Sequence, residues 1–237
     1  MTDLFFTDTG GDNPVLILLH GGLANHRSIL LWAAPLAARF RLVVPDLRGS
    51  GRSHFAGELT WDLLAGDIAA LARDLGIARA TVGGISFGSG VAVATALRHP
   101  DVVERLVLLH PVYGGADVGL TAEQAAAMAA MDAAGRRAPA EGPSVLFPLL
   151  ERLPAELRER ARATLAEYDP ASIAATTRFL ASGAQPFASA RELAAIACPV
   201  VVVPGVDPQH PVAIAELYRA HLPSCTWIET ADFAQAI

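Results

Sequence analysis

The octapeptide GGISFGSG, Gly83 to Gly90, lies between the apolar run ATV (Ala80–Val82) and the apolar run VAVATAL (Val91–Leu97). Its Gly84, Ser86 and Gly88 make the pattern G-x-S-x-G. The flanks read as a strand entering the motif and a helix leaving it. A serine on so sharp a strand-to-helix turn needs small neighbours, because side chains on either side would clash. The context predicts that Ser86 is presented as a nucleophile. The Phe87 N–H, at the start of the helix, would then point to where negative charge develops during attack. Read from the residues alone, a glycine-rich turn that packs a helix on a sheet also remains open.

Outward from this motif the chain alternates between two patterns. PVLILLHGG (Pro14–Gly22), RLVVPDLRG (Arg41–Gly49), VVERLVLLHP (Val102–Pro111) and CPVVVVPG (Cys198–Gly205) are short continuous apolar runs ending in glycine or proline. Such runs predict strands buried on both faces. Between them SILLWAAPLAARF (Ser28–Phe40), DLLAGDIAALARDLGI (Asp62–Ile77) and HPVAIAELYRAHLP (His210–Pro223) carry helical spacing. Repeated strand-helix units predict an α/β fold with a mostly parallel, doubly wound sheet whose sites lie at the carboxyl ends of the strands. From 112 to 197 strand signals vanish and Ala-rich helical segments such as Thr121–Gly135 and Pro154–Tyr168 take over. An insertion of that length is no plain loop, and a helical cap over the strand ends is expected. The expected division is a core of residues 1–111 and 198–237 and a cap of residues 112–197.

Composition narrows the chemistry. A net charge of −6, with no block of like charges, gives no basic surface for nucleic acid or anionic lipid, and no apolar run is long enough for a membrane span. A small-molecule substrate and a cytoplasmic location are the expectations, with no motif that fixes an oligomeric state. All 18 basic residues are arginine. Schiff-base aldolases, pyridoxal enzymes and Walker-type phosphate loops need a lysine and are excluded. Cys198 and Cys225 have no metal-ligand spacing and read as buried thiols.

Three motifs in order, LLHGG (Leu18–Gly22), PDLRGSGRS (Pro45–Ser53) and GGISFGSG, make the chain resemble the α/β-hydrolase superfamily of esterases, lactonases, C–C hydrolases and cofactor-free haloperoxidases. The resemblance runs over residues 15–111 and resumes at 198. It implies an α/β-hydrolase fold with no metal or organic cofactor, Ser86 as nucleophile, and the N–H groups of Phe87 and Gly22 as the oxyanion hole. It also implies that His20 orients the oxyanion loop and that Asp46 and Arg48 support loops. In VVVVPGVDPQHP (Val200–Pro211) Asp207 resembles the acid of the family's strand-exit loop, with one residue missing before it. The residues alone also allow a plain Asx-turn ahead of Pro208.

The resemblance implies a histidine after the last strand. PSCTWIETADFAQAI (Pro223–Ile237) supplies Gln235 or Asp232 there, according to how the segment is aligned. Either the chain is a shortened form without its base, or another histidine substitutes. His110, His210 and His26 are the candidates. His110 is preferred on topology, since it ends a strand neighbouring the nucleophile strand. The expected function is a serine hydrolase of small or medium ester-like substrates (ester, lactone or related carbonyl) through an acyl-enzyme on Ser86. Phe147, Leu150, Phe179 and Phe187 are candidates for the lining of its pocket, with packing inside the cap the preferred reading of the aromatics. The alternative is a hydrolase-fold protein without the usual histidine, acting as a ligand-binding pseudoenzyme or a cofactor-free non-hydrolytic enzyme.

Overall fold

The computed structural model describes residues 3–151, 153–230 and 232–237. The apolar runs form one sheet of seven strands: β1 (Phe6–Asp8), β2 (Val15–Leu19), β3 (Arg41–Pro45), β4 (Ala80–Ile85), β5 (Val103–Leu109), β6 (Val200–Val203) and β7 (Cys225–Trp227). Their spatial order is β1-β3-β2-β4-β5-β6-β7. Every neighbouring pair is parallel except β1 with β3, where Phe6 faces Pro45 in an antiparallel register. The absence of alternation in these strands has a direct cause. Ile17, Leu19, Leu106, Val200 and Val202 enter one core cluster, while Leu16, Leu18, Val107, Val201 and Val203 enter another on the opposite face. Successive side chains point to opposite faces, so a strand covered on both must be apolar throughout. β1 escapes a sequence reading because it is three residues long and carries Thr7 and Asp8.

Helix α1 (His26–Ala33) covers one face through Ile29 and Ala33. The other face is covered by α2 (Trp61–Asp74) and α3 (Phe87–Arg98). The Thr60 hydroxyl accepts the Leu63 N–H at 3.1 Å and starts α2, whose Leu64, Ile68 and Leu71 then fall on one buried stripe.

Between β5 and β6 the described residues form helices and turns only, as the loss of strand signals predicts: α4 (Ala122–Gly135), α5 (Ala138–Glu141), α6 (Ala155–Ala166) and α7 (Pro170–Ala181). A capping box of Thr121 and Gln124 starts α4. α4 and α7 cross at Gly135, so tightly that a Cβ there would lie 2.0 Å from Thr177 Oγ1. Three bonds tie these helices to the strand-exit loops. Phe55 N–H donates to Ser172 Oγ at 2.8 Å, the Thr176 hydroxyl donates to the Gly49 carbonyl at 2.9 Å, and the Tyr168 hydroxyl donates to the Ala24 carbonyl. After α7 the chain rejoins the core through Phe187, Leu193 and Ile196, and α8 (Val212–His221) follows β6 with Ile214 and Tyr218 buried. No helix among the described residues is long and apolar enough to cross a membrane.

Two helical glycines give opposite expectations. Gly66, inside α2, has nothing within 4 Å of an added Cβ, so Gly66→Ala gains helix propensity of about 1 kcal/mol. Gly135→Ala gains the same propensity but forces the Thr177 contact apart, at a net cost of roughly 1–3 kcal/mol. Thermal unfolding followed by circular dichroism should show Tm raised in the first variant and lowered in the second, by about 2–4 °C per kcal/mol. A rise for Gly135→Ala would mean that α4 and α7 do not meet at this point.

Candidate active site

β4 ends at Ile85, and the next residue turns the chain into α3 in a backbone state that non-glycine residues seldom adopt. Ser86 has φ 54° and ψ −118°. Bonds on both sides hold it there: its N–H donates to the Leu109 carbonyl at 2.9 Å, and its carbonyl accepts the Ser89 N–H at 2.9 Å and the Ser89 hydroxyl at 2.6 Å. Strain of this kind costs on the order of 1–3 kcal/mol and survives only where the surroundings impose it. The glycines make the turn sterically possible. A Cβ on Gly84 would lie 2.1 Å from the Gly88 carbonyl oxygen, and one on Gly88 would lie 2.4 Å from that of Leu19.

Beside the elbow, β2 runs out into His20, Gly21 and Gly22. An ideal Cβ on Gly22 would sit 3.9 Å from the Phe87 Cβ, so the two backbones expected to form an oxyanion hole are neighbours. His20 is fully buried. Its Nδ1–H donates to the Gly21 carbonyl at 2.7 Å, and its Nε2 accepts the Leu47 N–H at 2.9 Å. That pairing fixes a neutral tautomer, and burial lowers the pKa of the ring against the opposing pull of the Gly21 carbonyl and the Asp46 charge. Asp46 is a loop clamp. Its carboxylate accepts His26 N–H at 2.7 Å, His26 Nδ1–H at 2.8 Å and Arg52 N–H at 2.9 Å, while Arg48 pairs with Asp67 through two bonds of 2.7 Å.

The loop after β6 carries the remaining chemistry. The Asp207 carboxylate accepts the Gln209 N–H at 2.8 Å, and its carbonyl accepts the His210 N–H at 3.0 Å. This Asx-type turn folds His210 back over the acid: Nδ1–H lies 2.9 and 3.0 Å from the two carboxylate oxygens. The opposite ring nitrogen, Nε2, lies 2.9 Å from Ser86 Oγ. Gly205 leaves the space, since a Cβ there would meet the His210 Cβ at 2.2 Å. The buried Gln124 side chain of α4 donates to the Val112 and Gln209 carbonyls at 3.2 and 2.9 Å and ties the turn to the helical layer. Burial raises the Asp207 pKa, but the bond and charge of His210 and the N–H groups of Gln209 and His210 outweigh it and hold the carboxyl below its ordinary value.

The preference for His110 as the group on Ser86 is corrected: the imidazole placed to accept the Ser86 hydroxyl is that of His210. His110 N–H is pinned to the Val203 carbonyl at 2.9 Å, with φ 48°. Its ring stands 5.6 Å from the His210 ring and 5.1 Å from Phe233, behind His210 rather than on the serine. Burial, then the charge of His210, lowers its pKa. His26 is committed to Asp46. Asp232 and Gln235 bond to each other at 3.1 Å. The spacing D-P-Q-H is the signal in the sequence that points to His210, because a turn through Pro208 returns the fourth residue to the first.

Ser86, His110, His210 and Gly22 open into a cavity of about 760 Å³ between α1 and α6, walled by Leu31, Trp32, Leu157 and Phe233. None of the four candidates for its lining borders it. Phe147 and Leu150 pack in a satellite cluster of the helical layer, and Phe179 and Phe187 belong to the main core. Phe179 instead borders a separate cavity of about 520 Å³ beside Trp61.

Comparisons with known proteins agree with this architecture. The family model described as alpha/beta hydrolase fold matches residues 14–192, and the chain belongs to that family. An esterase from Thermogutta terrifontis superposes with a TM-score of 0.78 at 26% identity, covering 96% of this chain and 84% of that one. An enol-lactonase from Burkholderia xenovorans LB400 does so with 0.76 at 25%, covering 96% and 88%. By sequence, the magnesium-chelatase 30 kDa subunit of Rhodobacter capsulatus is 39% identical over 101 residues, which are 41% of this chain and 36% of that protein. The chain thus matches only about a third to two fifths of the length of such curated relatives.

His20 and His110 give a signed pH dependence. Both have pKa values lowered from 6.5 by burial, so the unfolded chain binds protons near that pH while the folded one stays neutral. Stability is therefore complete above about 6.5 and falls as the pH drops towards the lowered values, by up to ~1.4 kcal/mol per pH unit for each group. Urea midpoints between pH 7.5 and 5.5 should fall with acid, and His110→Gln should flatten the slope. An unchanged slope in that variant would remove His110 from the account.

Proposed function

We propose that the protein is a serine hydrolase of small or medium ester-like substrates, with Ser86, His210 and Asp207 as its triad. The observation that carries this reading is the unbroken chain from Ser86 Oγ to His210 Nε2 at 2.9 Å and from His210 Nδ1 to Asp207 at 2.9 Å. The likeness to an esterase and an enol-lactonase supports the reaction class.

In this mechanism Ser86 Oγ attacks the carbonyl carbon while His210 Nε2 takes the hydroxyl proton. The oxygen that gains charge is held by the N–H groups of Gly22 and Phe87. His210 returns the proton to the leaving alkoxide as the carbon–oxygen bond breaks, which leaves an acyl group on Ser86. A water, deprotonated by the same nitrogen, releases the acid. Asp207 keeps the proton on Nδ1, so that Nε2 faces the serine, and stabilises the imidazolium. The pseudoenzyme alternative starts from a missing base, and a histidine at hydrogen-bond distance from Ser86 removes that premise.

A fluorophosphonate probe and p-nitrophenyl butyrate test the assignment together. Wild-type protein should label at Ser86, and Ser86→Ala should abolish labelling. His210→Gln should lower kcat by ~10³ or more, given that loss of the base costs on the order of 10⁶ in a serine protease. His110→Gln should stay within about tenfold of wild type, because neither proton transfer passes through it. The reverse pattern, with His110→Gln inactive and His210→Gln active, would return the base to His110. Turnover of p-nitrophenyl butyrate that survives Ser86→Ala would replace the acyl-serine mechanism by direct attack of water on the ester.

A further inference from the structure

The cavity over Ser86 differs in charge from the rest of the molecule. The chain carries 24 acidic residues and a net charge of −6, yet the lining contains no carboxylate and two arginines, Arg27 and Arg160. Arg27 is neutralised by Glu167 through bonds of 2.7 and 2.9 Å that join α1 to the end of α6. Arg160 has no such partner among the described residues. Its place on α6 is set by periodicity: Leu157, Arg160, Ala161 and Thr164 lie three, one and three residues apart, form one helix face, and line the cavity. The arginines on either side, Arg158 and Arg162, turn to the other side of α6, where Glu151 takes both and Glu159 takes a further bond from Arg162. Of the three guanidinium groups on this helix, the unpaired one borders the cavity.

We propose that Arg160 selects substrates that carry a carboxylate remote from the scissile carbonyl, separated from it by an apolar spacer. The wall that Ser86 and Arg160 share supplies the reason for the spacer, because its Trp32, Leu157 and Ala161 offer apolar surface and no hydrogen-bond acceptor from their side chains. An unpaired guanidinium presents parallel N–H donors that match a carboxylate, and an acidic protein otherwise repels such a substrate. The inference rests on the acyl-serine reading above and deepens it by naming the substrate class.

The test compares matched esters. Mono-p-nitrophenyl adipate places a carboxylate at the far end of the acyl group, and p-nitrophenyl hexanoate is its neutral counterpart. Ethyl butyrate and 4-butyryloxybutyrate make the corresponding pair with the charge on the alcohol side. In at least one pair the wild-type kcat/KM should favour the anion, and Arg160→Gln should lower the anion-to-neutral ratio about fivefold to tenfold. Arg160→Glu should lower it further, and 0.5 M NaCl should reduce the wild-type ratio. Equal ratios in wild type and Arg160→Gln for both pairs, with neutral esters cleaved, would overturn the selection and leave the hydrolase reading standing. If no ester is cleaved, that reading fails, and calorimetry with monomethyl adipate decides the inference by itself. Binding weakened about fivefold in Arg160→Gln supports it, and unchanged or absent binding overturns it.

Discussion

The first turn of α3 approaches β2 and β4 so closely that no side chain fits between them, and the site depends on that approach. The Gly88 carbonyl would lie 2.1 Å from a Cβ on Gly84, and Gly88 itself rests on the Leu19 carbonyl. With the helix start fixed against two strand ends, Ser86 has no freedom to relax out of its positive φ, and its hydroxyl must project from the rim. The same contact brings the Phe87 backbone beside Gly22, because β2 and β4 are paired in register from Leu16 with Thr81 to Leu19 with Gly84. One steric constraint therefore sets both the Ser86 hydroxyl and the two backbone groups beside it.

Acid and base are arranged by a different kind of force. Asp207 and His210 sit on one turn, three residues apart, and their mutual geometry comes from local hydrogen bonds rather than from the meeting of distant strands. What remains to be fixed is the turn's position over Ser86. The parallel pairing of β5 with β6, from Leu106 with Val200 to Leu109 with Val203, sets where the loop leaves the sheet. Gln124 then bonds to its outer carbonyl from α4. The helical layer thus supports the chemistry through a side chain that touches none of the reacting atoms. Because the Asp207 side chain is 49% exposed, its charge acts on His210 through partly screened solvent. Direct hydrogen bonding is the larger part of what it can give.

The core of the fold was legible because the physics behind it is local. Unbroken apolar runs mean strands covered on both faces, and the two core clusters divide Leu16, Ile17, Leu18 and Leu19 alternately between them. G-x-S-x-G was legible in part for the same reason, since the clash that demands Gly84 lies within the motif, whereas the one that demands Gly88 comes from the Leu19 carbonyl of β2. The expectation of His110 followed from topology, which places a residue on the rim without saying where its ring goes. In the structure that ring packs against those of His210 and Phe233. The turn at Asp207 was visible as an Asx motif, but it was weighed as an alternative to a catalytic acid. In the structure it is the device that delivers the neighbouring histidine. For Phe179 and Phe187 hydrophobicity marks burial without distinguishing core from pocket wall. Only packing makes that distinction.

The two histidines that line the cavity, their rings tilted at 51°, limit each other. A proton on His210 would be stabilised by Asp207 on one side and opposed by any charge on His110, whose ring is 5.6 Å away. Burial keeps His110 neutral to lower pH than an exposed imidazole. Over that range it can stand beside the imidazolium without repelling it. A lysine or arginine at 110 would place a permanent charge there and disfavour protonation of His210. The position therefore tolerates an imidazole because its surroundings withhold the proton, and the apolar contact with Phe233 that withholds it also closes that side of the cavity.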